Sequence, residues 1–293
     1  MAREVTLETV LRGKGNTVTI GGGGPTVLIG ERINPTGKKR LAAALQEGDL
    51  SLVEREALAQ VDAGADIIDV NVGAVGVDEV DLLPRAVRKV VETVDAPVSI
   101  DTSNPDALAA ALEELRRVAP EAKPLINSIN GEERSLERLL PLAKEYGAAF
   151  IALCMDDRGI PQEPEERVAV AKKIIERATG LGIPQEDIVV DCLALTVGAD
   201  HRAWTVTLQA IEAVNREFKV NQTVGASNVS FGMPERTLIT GAALTIGIAA
   251  GITCPIVDAA KVRPYILAAD LLLGTDEFGM RYIRAFRERQ QSA

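Results

Sequence analysis

Eight times along this chain a short apolar run stops at a carboxylate or a carboxamide and gives way to a helix-like stretch. The endings are Glu31 after Val27-Leu28-Ile29-Gly30, Asp69 and Asn71 within Ile67-Ile68-Asp69-Val70-Asn71-Val72, Asp101 after Val98-Ser99-Ile100, and Asn127 after Leu125-Ile126. Asp156 follows Phe150-Ile151-Ala152-Leu153-Cys154-Met155, Asp191 follows Ile188-Val189-Val190, Asn228 lies in Gly225-Ala226-Ser227-Asn228-Val229, and Asp258 follows Ile256-Val257. Eight is the number of strands that closes a parallel barrel with one polar mouth, so the expected fold is α/β, a (β/α)8 TIM barrel.

The segments between the endings carry helix periodicity. Leu136, Leu139, Leu140 and Ala143 fall at i, i+3, i+4 and i+7, and Leu108, Leu112 and Leu115 form a similar stripe with charges opposite. Asn104-Pro105-Asp106 and Gly131-Glu132-Glu133 read as helix starts, and Gly64, Gly147 and Gly182 as helix ends. Successive endings lie roughly 26 to 40 residues apart, the size of a βαβ unit, and right-handed crossovers make such a sheet parallel.

Residues 1–26 stand outside the repeat. Val18-Thr19-Ile20 suggests one strand of a hairpin across one end of the barrel, a poorly ordered tail being the plainer alternative. Gly21-Gly22-Gly23-Gly24 is not a phosphate loop, since no Gly-Lys-Ser/Thr follows. The barrel is expected over residues 27–293, with an apolar closing helix near 265–274 and a solvated Arg- and Gln-rich end.

At 293 residues and 46% hydrophobic, the chain can bury the core of one barrel. With aromatics at 3%, Ala, Val, Ile and Leu must fill it. A net charge of −10 argues against nucleic acid or an anionic membrane as the main partner. The sequence has neither a membrane-spanning stretch nor a signal-peptide core at Met1-Ala2-Arg3-Glu4, so a cytoplasmic location is expected. Cys154, Cys192 and Cys254 lie far apart without CxxC spacing, which predicts buried reduced thiols and no metal site.

Side chains at the C-terminal ends of parallel barrel strands converge in the mouth. A set of Asp, Asn and Glu suits a flat heterocycle with an aminopyrimidinone edge: a carboxylate accepts its N–H donors and an amide meets its remaining N and O atoms. The plainer reading of each ending is a helix cap, as for Asp101 before Thr102-Ser103-Asn104. That reading suits Asn127 and Asp191 least, because both sit in apolar strands where an unpaired polar group is expensive.

Gly30-Glu31-Arg32-Ile33-Asn34-Pro35-Thr36-Gly37, Asp69-Val70-Asn71-Val72-Gly73, Ser99-Ile100-Asp101-Thr102-Ser103, Ile126-Asn127-Ser128, Val190-Asp191 and Gly225-Ala226-Ser227-Asn228-Val229-Ser230-Phe231 carry a resemblance. Over residues 27–258 the chain resembles the pterin-binding domain of the methyltetrahydrofolate:corrinoid/iron-sulfur protein methyltransferases and the folate domain of cobalamin-dependent methionine synthase. The resemblance implies a pterin-binding barrel, a homodimer, and transfer of a methyl group from 5-methyltetrahydrofolate to the Co(I) of a corrinoid. It implies that Asp101, Asn127 and Asp191 bind the pterin, that Asn228 bonds near N5, and that Glu31, Asp69 and Asn71 line the mouth in support. Asn228 and Asp101 would then serve the chemistry. Arg236 would meet the folate tail or the partner, or, more plainly, is a solvated arginine at a helix start.

The one histidine, His201, sits in a polar loop and is expected at the surface. Corrinoid modules of the base-off type carry Asp-x-His-x-x-Gly, whereas Asp200 and His201 are adjacent here, so the corrinoid is expected on a separate protein docking over the mouth. Two alternatives stand beside methyl transfer: dihydropteroate synthase, and a non-catalytic pterin-binding subunit of a methyl-transfer complex. The synthase is disfavoured because Asn34-Pro35-Thr36-Gly37 and Asn228-Val229-Ser230-Phe231 replace its characteristic loop and basic pair.

Overall fold

The computed structural model describes residues 5–291. Strands β1 (Thr9–Arg12) and β2 (Thr17–Ile20) form an antiparallel hairpin, with Leu11 opposite Val18. Then β3 (Ile29–Ile33), α1 (Lys39–Gln46), α2 (Ser51–Asp62), β4 (Ile67–Val70), α3 (Glu79–Thr93), β5 (Val98–Asp101) and α4 (Pro105–Val118) begin the alternation. It continues through β6 (Leu125–Asn130), α5 (Glu133–Glu145), β7 (Ala149–Leu153), α6 (Pro164–Gly180), β8 (Ile188–Asp191) and α7 (Ala203–Phe218). It ends with β9 (Asn221–Thr223), α8 (Arg236–Ala250), β10 (Ile256–Val257), α9 (Ala259–Leu273) and α10 (Met280–Gln291).

Strands β3 to β10 make one parallel eight-stranded sheet, in which β10 pairs with β3. A parallel bridge between Gly225 and Ile256 joins the other edge and closes the ring. The expected TIM barrel is the fold observed.

Strand periodicity then sorts the side chains. Ile29, Ile67, Leu125, Ile151 and Val189 share one buried cluster with the hairpin residues Leu11, Val18 and Ile20. Leu28, Ile68, Ile126, Phe150 and Val190 belong instead to the cluster shared with the helices. The first set fills the barrel and the second faces the helix layer. Two residues further along, the inward positions become Glu31, Asp69, Asn127 and Asp191, with Asn71 a further step beyond Asp69. Apolar floor and polar mouth are therefore one alternation read at two heights.

The hairpin plugs the opposite end. Arg12 and Lys123 exchange backbone hydrogen bonds of 3.1 and 2.9 Å, and the Asn221 amide donates to Leu7 O, Ile20 O and Thr9 Oγ1 at 2.9 to 3.0 Å. The seventh ending needs correction: residues 226–230 form a 3-10 turn, and the strand before it is the polar Asn221-Gln222-Thr223. These side chains are buried but satisfied, Gln222 Nε2 by Ile211 O at 2.9 Å and Thr223 Oγ1 by Cys254 O at 2.6 Å. A strand so paired needs no apolar signature.

The helix signals fall where local chemistry puts them. Asn104 Oδ1 accepts from the Asp106 and Ala107 N–H groups at the head of α4, with Pro105 at the first position. Gly64, Gly147 and Gly182 follow α2, α5 and α6 with φ of 91°, 59° and 85°, a region where a Cβ is disfavoured. The closing helix starts earlier than the apolar stretch suggested, at Ala259, and α10 follows it.

Candidate active site

Parity and register bring five residues from these endings together. Asp69 on β4 is 2% exposed and accepts hydrogen bonds from Ser99 Oγ on β5 at 2.6 Å and from Asn127 Nδ2 on β6 at 3.1 Å. Asn71, just past β4, donates to Asp101 Oδ2 at 2.9 Å and accepts from the Gly73 N–H at 2.8 Å. Glu31 on β3 accepts from Ser227 Oγ at 3.1 Å, which ties the first barrel strand to the turn carrying Asn228.

Burial governs the protonation of these carboxyls. Desolvation raises Asp69 well above the usual carboxylate range, helped by the neighbouring charge of Asp101 and opposed by the Ser99 and Asn127 hydrogen bonds. Asp101 is pushed up to about 6 by desolvation, opposed by the Asn71 amide and reinforced by Glu79. Glu31 is raised for the same first reason, with the Ser227 bond working against it. The array is rich in acceptors, with its cations, Lys38 and Lys261 among them, on the Glu31 side, and the acceptors suit a ligand that brings N–H donors.

Two adjoining hollows open over it. One, of about 780 Å³, is lined by Asn71, Asp101, Asn127, Ser128, Leu153 and Met155 among others. The other, of about 630 Å³, is lined by Glu31, Asp69, Asp101, Asn127, Asn228 and Arg236 among others. Asp101 and Asn127 belong to both walls.

Asn228 lies in the 3-10 turn, where its backbone N–H meets Gly225 O at 3.1 Å and its side chain is exposed. Gly225 leaves room for it, since a Cβ there would stand 3.0 Å from Asn228 Nδ2. Asp191 is set further back: 7% exposed, it accepts from the Leu193 N–H at 2.7 Å and lines neither hollow. Desolvation pushes it up to about 7, against the Leu193 hydrogen bond and the charge of Arg167. Arg236 opens α8, donates to Ser227 O at 2.8 Å and stacks over Phe231 at 5.7 Å, so it braces the Asn228 turn as well as reaching solvent.

Asp156 and Asp258 are engaged in ion pairs, Asp258 also lining the second hollow beside Glu31. Asp156 pairs with Arg158 at 3.0 Å, and Asp258 precedes α9 and pairs with Lys261 at 3.0 Å and Arg32 at 3.6 Å. His201 is almost fully exposed, and all three cysteines are buried thiols. Sequence patterns missed Ser99, Ser227 and Lys38, whose Nζ gathers the carbonyls of Glu31, Arg32 and Asn34 at 2.9 to 3.4 Å and folds the loop after β3. The residues that precede or follow an ending carried no signal, because a hydroxyl or lysine finds its role only through neighbours distant in sequence.

A TIM barrel with this polar mouth defines a class, and residues 30–258 match the family model described as pterin binding enzyme. The chain belongs to that family. It is similar to the methylcorrinoid:tetrahydrofolate methyltransferase of Eubacterium limosum, 29% identical over 270 residues that cover 89% of this chain and 96% of the relative. It is 30% identical over 251 residues to the methionine synthase of Mycobacterium tuberculosis, covering 81% of this chain but only 21% of that longer protein. Among solved structures, Yersinia pestis DHPS with a pterine-sulfa conjugate matches with a TM-score of 0.64 at 17% identity, covering 97% of this chain and 100% of that one, a likeness of fold.

Proposed function

We propose that this chain is a methyltransferase that moves the N5-methyl group of 5-methyltetrahydrofolate to, or from, the Co(I) corrinoid of a separate corrinoid protein. The observation that carries it is a mouth of acceptors facing a carboxamide free for ligand, in a chain similar to a methylcorrinoid:tetrahydrofolate methyltransferase along nearly the full length of both.

The chemistry asks for such a mouth. A tertiary amine is a poor leaving group, so N5 must gain a proton or a strong hydrogen bond as its methyl departs. In this reading Asp101 and Asn127 hold the pterin, and Asp191, with one oxygen taken by Leu193, offers the other to the donor edge. Asn228 donates at N5 without titrating, while Asp101, ionised and held by the Asn71 amide, belongs to the polar network of the mouth through which a proton from solvent reaches N5. Glu31, Asp69 and Asn71 keep these groups in place. The corrinoid, the other substrate, supplies the nucleophile, and Arg236 beside exposed Phe231 meets its carrier or the folate tail.

No helix among the described residues is long and apolar enough to cross a membrane. The proposal places the enzyme in the cytoplasm as a homodimer that meets its corrinoid protein at the mouth. Two assays run side by side test it: methyl exchange between 5-methyltetrahydrofolate and a Co(I) corrinoid, and condensation of a pterin pyrophosphate with p-aminobenzoate. Turnover in the first alone is expected; turnover in the second alone would make the protein a synthase. Folate binding without turnover in either would favour a non-catalytic subunit.

A further inference from the structure

The bulkiest fully buried side chain of the molecule is a cation, Arg167 on α6, 1% exposed. Its Nε donates to Pro161 O at 3.0 Å, and its Nη1 to Cys192 O at 2.7 Å, Leu193 O at 2.9 Å and Thr207 Oγ1 at 3.1 Å. Among the described residues, all these partners are neutral oxygens. A guanidinium whose hydrogen bonds all go to neutral oxygens is costly to bury, and a side chain retained at such cost calls for a role.

The residues it clamps give the role. Leu193 has a φ of 62°, a left-handed conformation that a branched side chain rarely adopts. Its carbonyl is held by Arg167 and by Thr207 Oγ1 at 2.8 Å, and its N–H is given to Asp191 at 2.7 Å. Release of the carbonyl would free the turn and, with it, the orientation of the carboxylate. Charge works in the same direction: Arg167 favours the ionised form of Asp191 against its burial. The other titratable neighbours are thiols, Cys192 just past β8 and Cys154 just past β7, whose own ionisation is suppressed first by its contact with Cys192. From β9, the paired residue Thr223 brings no charge.

We propose that Arg167 is a positioning residue for the pterin: its hydrogen bonds shape the turn at residues 192–193 that aims Asp191 at the pterin's N–H donors, and its positive charge lies close to that side chain. This rests on the methyl-transfer reading only in naming the pterin as the ligand of Asp191.

The test compares wild type, Arg167→Met and Arg167→Lys by carboxyl 13C NMR titration of Asp191 in the ligand-free protein and by 5-methyltetrahydrofolate binding across pH. In Arg167→Met the Asp191 midpoint should rise by about 1 pH unit or more. Folate Kd at pH 7 should weaken by about tenfold or more, with kcat at saturating folate within about twofold of wild type. Arg167→Lys, with the charge but not the fork, should keep the midpoint and still lose affinity. An Asp191 that titrates alike in wild type and Arg167→Met, or a loss confined to kcat, would overturn the proposal. Should Arg167→Met fail to fold, Arg167→Lys decides: a kept midpoint with weakened folate supports the role, and unimpaired folate binding refutes the clamp. A wild type that binds no folate would sink the methyl-transfer reading, while the Asp191 titration would still judge Arg167.

Discussion

Asn127 on β6 reaches across β5 to donate its amide to Asp69 on β4, at 3.1 Å. The bond spans the barrel interior and, with Ser99 Oγ at 2.6 Å on the same carboxylate oxygen, welds three strand ends into one surface before any ligand arrives. A buried carboxyl group that loses one of its two side-chain partners carries more of its desolvation penalty. Ser99→Ala should therefore lower stability by about 1–3 kcal/mol in urea unfolding. Folate affinity should fall with it, because Asp69, the anchor of Asn127, loses one of the two side-chain donors that fix it. An unchanged unfolding midpoint would show that the weld contributes nothing.

Asn228 stands apart from that network, exposed and in a turn braced by Ser227 and Arg236. If its amide stabilises N5 only as the methyl leaves, Asn228→Ala should reduce kcat by on the order of 10²-fold with little change in folate Kd. Steady-state kinetics with a parallel binding isotherm separates the two. A variant that binds poorly yet transfers normally once saturated would remove Asn228 from this role.

Asp191 links function to stability with opposite signs. Its folded pKa of about 7 lies above the ordinary aspartate value of 3.8, so between those values the folded chain holds more proton than the unfolded one. Stability is then greatest below that interval and declines as pH rises through it. Asp191→Asn should raise the melting temperature of the ligand-free protein at pH 8 and change it little near pH 4, while it weakens the pterin complex about tenfold or more. A variant less stable at pH 8 and equal in folate binding would contradict both halves.

How much of this was legible from residues alone follows from what each depends on. Glu31, Asp69, Asn71, Asp101, Asn127 and Asp191 announce themselves because strand period and strand length act locally, and an apolar run broken by one polar residue is unusual. Strand β9 hides, since Asn221, Gln222 and Thr223 are satisfied by the hairpin, by α7 and by Cys254, which are partners the local pattern cannot reveal. Ser99, Ser227 and Arg167 hide for the same reason: each acts through a neighbour 30 or more residues away, or through carbonyls that every residue owns. The depth of Asp191 also depends on where the strand ends relative to the ring, not on its own run.

The pH dependence of folate binding follows from the two carboxyls with folded values of about 6 and about 7, Asp101 and Asp191. Both must be ionised to accept N–H donors, so affinity should be full above pH 7 and fall as pH drops through 7 and then 6. A titration of Kd from pH 5 to pH 8 checks this. Affinity that improves on acidification through that window would reverse the assignment of the carboxylates as acceptors.

Methyl transfer between folate and cobalt has a direct optical signature. The most direct measurement is a rapid-mixing experiment in which the protein and 5-methyltetrahydrofolate meet a Co(I) corrinoid, first free and then protein-bound, with absorbance recorded through the turnover. Loss of the Co(I) band with growth of the methyl-Co(III) spectrum, dependent on this chain and slowed in Asn228→Ala, is the predicted result. A Co(I) spectrum that stays unchanged with both forms of the corrinoid would rule out methyl transfer by this chain.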